Sequence, residues 1–435
     1  MRHCIVNLGC KVNRVEADGF EAVLAACGSA PAPEAEADLI VVNTCTVTAE
    51  ADKKARKAVR QALRANGQAR VMATGCAAAL QASFFEALDG RVSAVPKGAM
   101  EAALRQAAAE LRAAEAASAG GGEGMLAQAA ASAPVADDVR SAADAGPSVA
   151  PVAASSRTRV GIKVQDGCDN ACTYCIAHVA RGRAVSRPAD EVVAEAQAAA
   201  ARGVRELVLT GINLGSYRSD GAGLAALLER LLDATADLVE LGGEPCRFRV
   251  SSVEPADVDD RLVEVLAAAE GRICRHLHLP LQSGSDEVLR QMARPYSASD
   301  YLRLVERLRE RVPAIALATD AIVGFPGESE ADFQATCGLA RACGFMNMHV
   351  FPYSRREGTP AAARPDQVPP QVKADRARRL RALASELRQA DWERRVGTVE
   401  LALVEEQGRA MTEAYYEVTA PDSAPVGALV PLTLG

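Results

Sequence analysis

The sequence predicts an α/β protein in three parts: an N-terminal doubly wound parallel domain, a central partial barrel of six β/α units, and a small C-terminal β domain. Three observations carry this. Short apolar runs alternate with helical segments through the first 100 residues and again from residue 157 to about 351, the pattern that builds parallel sheets. The stretch between them is rich in Ala, Gly and Ser and nearly bare of large apolar side chains. The last 40 residues alternate with a period of two, as a small sheet does. The expected boundaries are 1–100, 101–156 for an Ala/Gly-rich linker, 157–384 for the barrel and 385–435 for the last part.

In the first part, strands are expected at Cys4–Leu8, Leu39–Asn43 and Arg70–Thr74, with helices at Glu16–Ala26 and Glu50–Ala65. In the linker, Glu101–Ala117 reads as an exposed alanine helix. The remainder, including Gly120-Gly121-Gly122, reads as a flexible tether. The barrel strands are expected at Val160–Val164, Val204–Thr210, Arg247–Ser252, His276–Leu281, Ile315–Val323 and Met346–Phe351, with helices such as Glu191–Arg202 and Tyr301–Arg311 between them. Six units fall two short of a closed eightfold barrel, so the barrel is expected to be open. A basic helix, Gln371–Arg395, leads to strands at Val399–Val404 and Tyr415–Thr419.

The net charge of −7 excludes a general attraction to polyanions, so any nucleic-acid surface must be a local basic patch. No apolar run approaches the roughly 20 residues that span a bilayer, so no membrane partner is expected. The first residues resemble a strand, not a signal peptide, and a cytoplasmic location follows. In that reducing compartment twelve cysteines read as metal ligands, catalytic groups or packing rather than disulfides. Cys4, Cys27, Cys246, Cys274, Cys337 and Cys343 lie in apolar or helical contexts and read as small buried hydrophobes.

The remaining six carry chemistry. Cys168, Cys172 and Cys175 form a C-x3-C-x2-C triplet just after the first barrel strand, at the strand end where barrel enzymes keep their active sites. Three thiolates at this spacing can cap a four-iron cubane and leave one iron open to a substrate. Tyr174 stands ready to shield such a cluster. A structural zinc knot is the alternative, but no fourth ligand has suitable spacing, and His178 lies in an apolar stretch. Cys10, Cys45 and Cys76 each follow a strand of the first part, one β/α repeat apart. A parallel sheet brings all three to one carboxyl edge, the ligand-binding edge of doubly wound folds, and a second cluster is the expectation. Beyond Cys45, Lys53, Lys54, Arg56, Lys57, Arg60 and Arg64 run without an acidic residue among them. On a helix 53, 56, 57, 60 and 64 share a face, which reads as a phosphate-binding surface for RNA.

Taken together the sequence resembles the methylthiotransferases of the radical S-adenosylmethionine (SAM) superfamily. The resemblance rests on both cysteine sets, on His278-Leu279-Pro280-Leu281-Gln282-Ser283-Gly284-Ser285, on Gly324-Phe325-Pro326-Gly327-Glu328, and on Tyr353-Ser354-Arg355-Arg356-Glu357-Gly358-Thr359. Leu8-Gly9-Cys10-Lys11-Val12-Asn13 and Asn43-Thr44-Cys45-Thr46-Val47-Thr48 are most similar to the branch that methylthiolates carbon 2 of threonylcarbamoyl-adenosine beside the tRNA anticodon. The resemblance implies two 4Fe-4S clusters and SAM as cofactors. The Cys168 cluster would reduce SAM to a deoxyadenosyl radical, and the Cys10 cluster would deliver the sulfur. It implies SAM contacts from Thr210, Gly211 and Asn213, from Ser252 and Glu254, and from Gln282 and Ser283, with Asp320 and Glu328 open to ordinary structural roles. It also implies a shortened, RNA-binding TRAM-like module at the C-terminus, poor in basic residues. Partners would be tRNA, an electron donor and a sulfur source; a monomer is expected, the residues themselves being silent on assembly. The rival readings are the same chemistry on isopentenyladenosine tRNA or a ribosomal protein, a non-catalytic iron–sulfur carrier, and a zinc-stabilised RNA-binding protein.

Overall fold

A computed structural model describes residues 1–119, 158–237 and 246–435; the expected glycine-rich tether lies outside them. They form two compact units, the first holding residues up to Ala119 apart from Val47–Ala49, the second holding those three and the rest. No helix among the described residues is long and apolar enough to cross a membrane.

The first unit is a five-stranded parallel sheet of β1 (Arg2–Asn7), β2 (Ala30–Pro31), β3 (Leu39–Thr44), β4 (Arg70–Gly75) and β5 (Val92–Ala94), in the order β2-β1-β3-β4-β5. The unbroken apolar run of β3 follows from burial on both faces. Ile40 and Val42 pack beneath Ala55, Val59 and Ala62 of the helix Ala49–Ala65. Leu39 and Val41 face Val23 and Leu24 of the helix Lys11–Ala26 on the other side. The reading of Glu101–Ala117 as an exposed linker helix is corrected here. The helix Met100–Ala119 buries Met100, Leu104 and Ala107 on that second face. Its three- and four-residue spacing makes a narrow stripe whose few large members, Met100 and Leu104, are spread thinly through an alanine-rich segment.

In the second unit β6 (Arg159–Lys163) is followed by a two-residue hairpin pair, β7 (Gln165–Asp166) and β8 (Val185–Ser186). Then come β9 (Glu206–Thr210), β10 (Arg247–Val250), β11 (His276–His278), β12 (Ala316–Val323) and β13 (Asn347–Pro352). Parallel pairing runs β6-β9-β10 and β11-β12-β13, and the bridges Phe248↔Ile273 and Ser252↔His278 join the two rows. This is the expected six-stranded partial barrel. The helix Pro370–Arg395 packs on its outside and runs without a break through the boundary expected after residue 384.

The C-terminal strands β14 (Val399–Glu406), β15 (Arg409–Thr412), β16 (Glu417–Thr419) and β17 (Leu429–Thr433) form an antiparallel sheet in the order β16-β15-β14-β17. It closes the barrel at the starting ends of its strands. Glu206, at the start of β9 and fully buried, takes Arg247 at 2.5 Å and Arg249 at 2.7 Å, both from β10. The guanidinium groups then donate to backbone carbonyls of the C-terminal sheet, Arg247 to Leu401 (2.6 Å) and Arg249 to Glu413 (2.5 Å) and Thr412 (3.2 Å). The Tyr415 ring lies 3.9 Å under Arg249 and edge-on to His276. Ala316 and Ala318 of β12 pack against Ala414 and Tyr416.

Burial alone would raise the Glu206 carboxyl, but Arg249 and Arg247 outweigh it and hold it down at about 2. The pair therefore stabilises the fold fully above the ordinary carboxylate pKa of about 4.3 and loses that contribution as pH falls toward 2. Glu206→Ala leaves two buried cations without a counter-charge and is expected to cost about 3–5 kcal/mol. Urea unfolding at neutral pH measures this loss, and the gap from wild type should narrow in acid.

Candidate active site

In the first unit β1, β3 and β4 lie side by side and parallel, and Cys10, Cys45 and Cys76 stand directly after them. The chain leaves β1 for β2 on one side and β3 on the other. Cys10 and Cys45 thus flank the crevice where strand order reverses, the binding position of such sheets. Cys10 is exposed, while Cys45 and Cys76 are buried.

A polar lattice holds the three turns together. The Asn13 amide donates to Asn43 Oδ1 (2.9 Å) and the Thr44 carbonyl (3.0 Å), and Asn43 Nδ2 donates to the Asn13 carbonyl (2.8 Å). Thr44 Oγ1 donates to the Thr74 carbonyl (2.6 Å) and accepts from the Ala78 N–H (3.0 Å). Cys10 Sγ lies 3.3 Å from Asn13 Oδ1. Gly75 has φ of +89°, and a Cβ there would stand 2.3 Å from the Thr44 carbonyl, so only glycine lets β4 deliver Cys76 this close to β3. Lys97 Nζ sits 3.3 Å from Glu16 and 3.9 Å from Cys76 Sγ.

In the second unit the loop bearing Cys168, Cys172 and Cys175 leaves the carboxyl end of β6. Asp166 clamps its base through Lys163 (2.5 Å) and Arg181 (2.7 Å). Gly167, at φ of +70°, passes so near the Arg183 carbonyl that a Cβ would fall 1.8 Å from it. Each thiol has an N–H donor: Asn170 to Cys168 (3.4 Å), Ala177 to Cys175 (3.3 Å), and Arg294 to Cys172 (3.2 Å). Burial pushes the Cys175 thiol up to about 11, so a thiolate here requires a cationic partner.

The donors at each site fit an iron–sulfur cluster: three free cysteine thiols, the ligand type such clusters take. Among the described residues, a trio of ligand atoms of other types gathers within 4.8 Å at His278, Asp320 and His349.

The residues expected around the cosubstrate divide. Thr210 ends β9 with a buried hydroxyl that has no hydrogen-bond partner among the described residues, and Gly211 passes directly over Gln165. The Gln165 side chain accepts from the Ile212 (3.0 Å) and Asn213 (2.9 Å) N–H groups and donates to the Asp166 and Gly167 carbonyls (both 2.8 Å). It thereby staples this loop to the cysteine loop. Asn213 uses its Oδ1 to cap the Gly215 N–H (3.2 Å). Ser252 stands beside His278 on the inner wall, and Glu254 is ion-paired with Arg294. Gln282 adopts φ of +63° at the end of the β11 segment, an uncommon conformation for a residue with a side chain.

Ser283 is buried, meets the Thr336 hydroxyl at 3.3 Å and fastens its turn to the helix Glu330–Cys343. The Tyr174 ring joins Val288, Met292, Phe325 and Tyr353 in an apolar cluster. Glu328 accepts from the Gly324 N–H and pairs with Arg376, which makes it structural. Gln165, Asn13, Asn43 and Arg294 were missed. Asn13 and Asn43 carried a signal, since each lies within one of the two quoted motif blocks, whereas nothing in the sequence pointed to Arg294.

The inner wall of β11–β13 is polar and open. His278 Nε2 lies 3.2 Å from Asp320, and the His278 and His349 rings stack at 5.9 Å. Register puts His349 opposite Asp320 and Phe351 opposite Ile322 on this same face, and Phe351 is exposed.

The expected basic face also forms. Lys53, Arg56, Lys57, Arg60 and Arg64 line one groove with Glu34 and Gln61. Arg56 is held by Gln81 (2.9 Å) and lies 4.7 Å over the Phe84 ring. The C-terminal sheet offers much less, since its Arg409 is engaged by Glu406 and Glu417.

A six-stranded open barrel with a C-x3-C-x2-C loop after its first strand defines a radical SAM enzyme, and residues 162–340 match the family model described as "Radical SAM superfamily". Residues 2–95 match that of "Uncharacterized protein family UPF0004". The threonylcarbamoyladenosine tRNA methylthiotransferase MtaB of Chlamydia pneumoniae is 34% identical over 92% of this chain and 86% of its own. That of Bacillus subtilis is 36% identical over 87% and 79%. The ribosomal protein uS12 methylthiotransferase RimO of Desulforudis audaxviator is 37% identical over 97% and 89%. The solved radical SAM methyltransferase TsrM from Kitasatospora setae shares the fold, with a TM-score of 0.57 at 17% identity over 83% of this chain and 77% of its own. The chain belongs to the methylthiotransferase family of radical SAM enzymes. Its cofactors are the family's, SAM and 4Fe-4S clusters.

Asn13→Ala should remove the donor to the buried Asn43 Oδ1 and to the Thr44 carbonyl while Asn43 Nδ2 keeps the backbone carbonyl of residue 13, costing about 1–3 kcal/mol, and loosen the crevice between Cys10 and Cys45. Iron analysis after anaerobic reconstitution should then show loss confined to the first unit, with the Cys168 site still loaded.

Proposed function

We propose that this enzyme adds a methylthio group to carbon 2 of threonylcarbamoyl-adenosine next to the tRNA anticodon. In this reading Cys168, Cys172 and Cys175 hold the cluster that engages SAM, and Cys10, Cys45 and Cys76 hold the second. The observation that carries it is the pairing of two separate three-thiol sets, each at the carboxyl edge of a parallel sheet, in a chain whose relatives include tRNA methylthiotransferases. Carbon 2 of adenine carries a C–H bond without an acidic proton, which makes acid–base catalysis a poor route. The bound clusters and SAM supply the radical and the sulfur.

The chain's own residues bind and orient. Thr210 offers a hydroxyl unpaired among the described residues, and Gly211 a half-buried backbone without a side chain, beside the cysteine loop. Phe351 offers a face on which a purine can stack. The imidazoles of His278 and His349 lie beside Asp320 on one face of this sheet and can reach a substituent bearing a carboxylate and a hydroxyl, as threonylcarbamoyl does. The groove of Lys53, Arg56, Lys57, Arg60 and Arg64 supplies the local positive surface that an acidic protein needs to hold tRNA.

Three measurements test the reading. Anaerobic reconstitution should yield roughly eight irons per chain, falling by half when Cys168, Cys172 and Cys175 become Ala; colourless protein containing zinc overturns it. tRNA nucleosides from a deletion strain should lack methylthiolated threonylcarbamoyl-adenosine. Loss of a different methylthio nucleoside, or of the mark on a ribosomal protein, transfers the activity to that substrate. Arg60→Glu with Arg64→Glu should weaken tRNA binding and flatten its dependence on log salt by about 0.7–0.9 for each phosphate no longer neutralised, with iron content unchanged.

A further inference from the structure

We propose that Arg294 sets the reduction potential of the cluster carried by Cys168, Cys172 and Cys175, with Glu254 as its opposing charge. This rests on the ligand assignment above. The Arg294 side chain is 1% exposed, and all three of its nitrogens are committed. Nη1 donates to Cys172 Sγ at 3.2 Å, Nη2 pairs with Glu254, and Nε donates to the Tyr296 hydroxyl at 3.0 Å. That hydroxyl donates in turn toward the Pro280 (2.8 Å) and Leu281 (3.1 Å) carbonyls. The guanidinium also lies 5.1 Å from the centre of the Tyr296 ring. A group so fixed cannot swing away from the sulfur.

One-electron reduction adds a negative charge to the cluster and its thiolates. A permanent cation in contact with a ligand sulfur, poorly screened because it is buried, stabilises the reduced form more than the oxidised one. Hydrogen bonds to the sulfurs act in the same direction. Glu254 cancels part of that charge from the far side. Arg294 is thus a positioning residue with an electrostatic function, and the two side chains pull the potential in opposite directions.

The test is a dithionite redox titration without SAM, followed by electron paramagnetic resonance. It uses full-length protein in which Cys10, Cys45 and Cys76 are Ala, so that one cluster reports. R294Q should lower the midpoint, E254Q should raise it, and R294K should stay nearer the parent. R294Q with E254Q together should return toward the parent value. Loaded clusters whose midpoints do not move, or that move the same way in R294Q and E254Q as general loosening would produce, overturn the proposal and leave the ligand assignment standing. Parent protein that binds no iron overturns the ligand assignment and this inference with it.

Discussion

The second unit depends on one carboxylate. Glu206 is buried at the start of β9, and without it Arg247 and Arg249 would be two uncompensated charges inside the protein. With it, their outer N–H groups are free to bind backbone carbonyls of the C-terminal sheet. An ion cluster of this kind gains little over apolar packing in stability, but it is directional. It fixes which strands of the last sheet meet which strands of the barrel. The floor is thereby sealed, and the lumen opens toward the carboxyl ends where the Cys168 loop and the polar wall of His278, Asp320 and His349 lie.

The two units reach the same arrangement by different routes. In the first, the crevice of a doubly wound sheet gathers thiols from three successive β/α turns, and side-chain amides and hydroxyls of Asn13, Asn43 and Thr44 lock the turns. In the second, one short loop supplies all three thiols, and Asp166, Gln165 and Arg294 fasten it to the barrel. Both sets stand at carboxyl edges, where such sheets turn the backbone N–H groups of the following turns and helices toward a ligand.

The strands were legible because their helix-covered faces are apolar, unbroken in β3 and alternating with polar residues in β10 and β13, and all six barrel strands overlap the expected segments, though β9, β10 and β11 are shorter. The cysteine sets were legible from spacing alone. What escaped notice is what spacing cannot encode. The Asn13–Asn43 lattice joins residues 30 positions apart and the Arg294–Cys172 hydrogen bond joins residues 122 apart, and neither has a periodicity. The helix Met100–Ala119 was misread because alanine buries without announcing itself. The C-terminal sheet was expected to contact RNA. Its Arg409 is occupied by two glutamates, and its inner face carries Tyr415 and Tyr416 against the barrel floor.

The partners of Arg247 and Arg249 lie at Leu401, Thr412 and Glu413, more than 150 residues further along the chain. A nascent polypeptide emerging from the ribosome therefore carries an unfinished lumen, its cations still hydrated, until those strands have been translated. The walls around the Cys168 loop are thus complete only with the last strands of the chain, whereas the crevice of Cys10, Cys45 and Cys76 is built entirely within the first 119 residues.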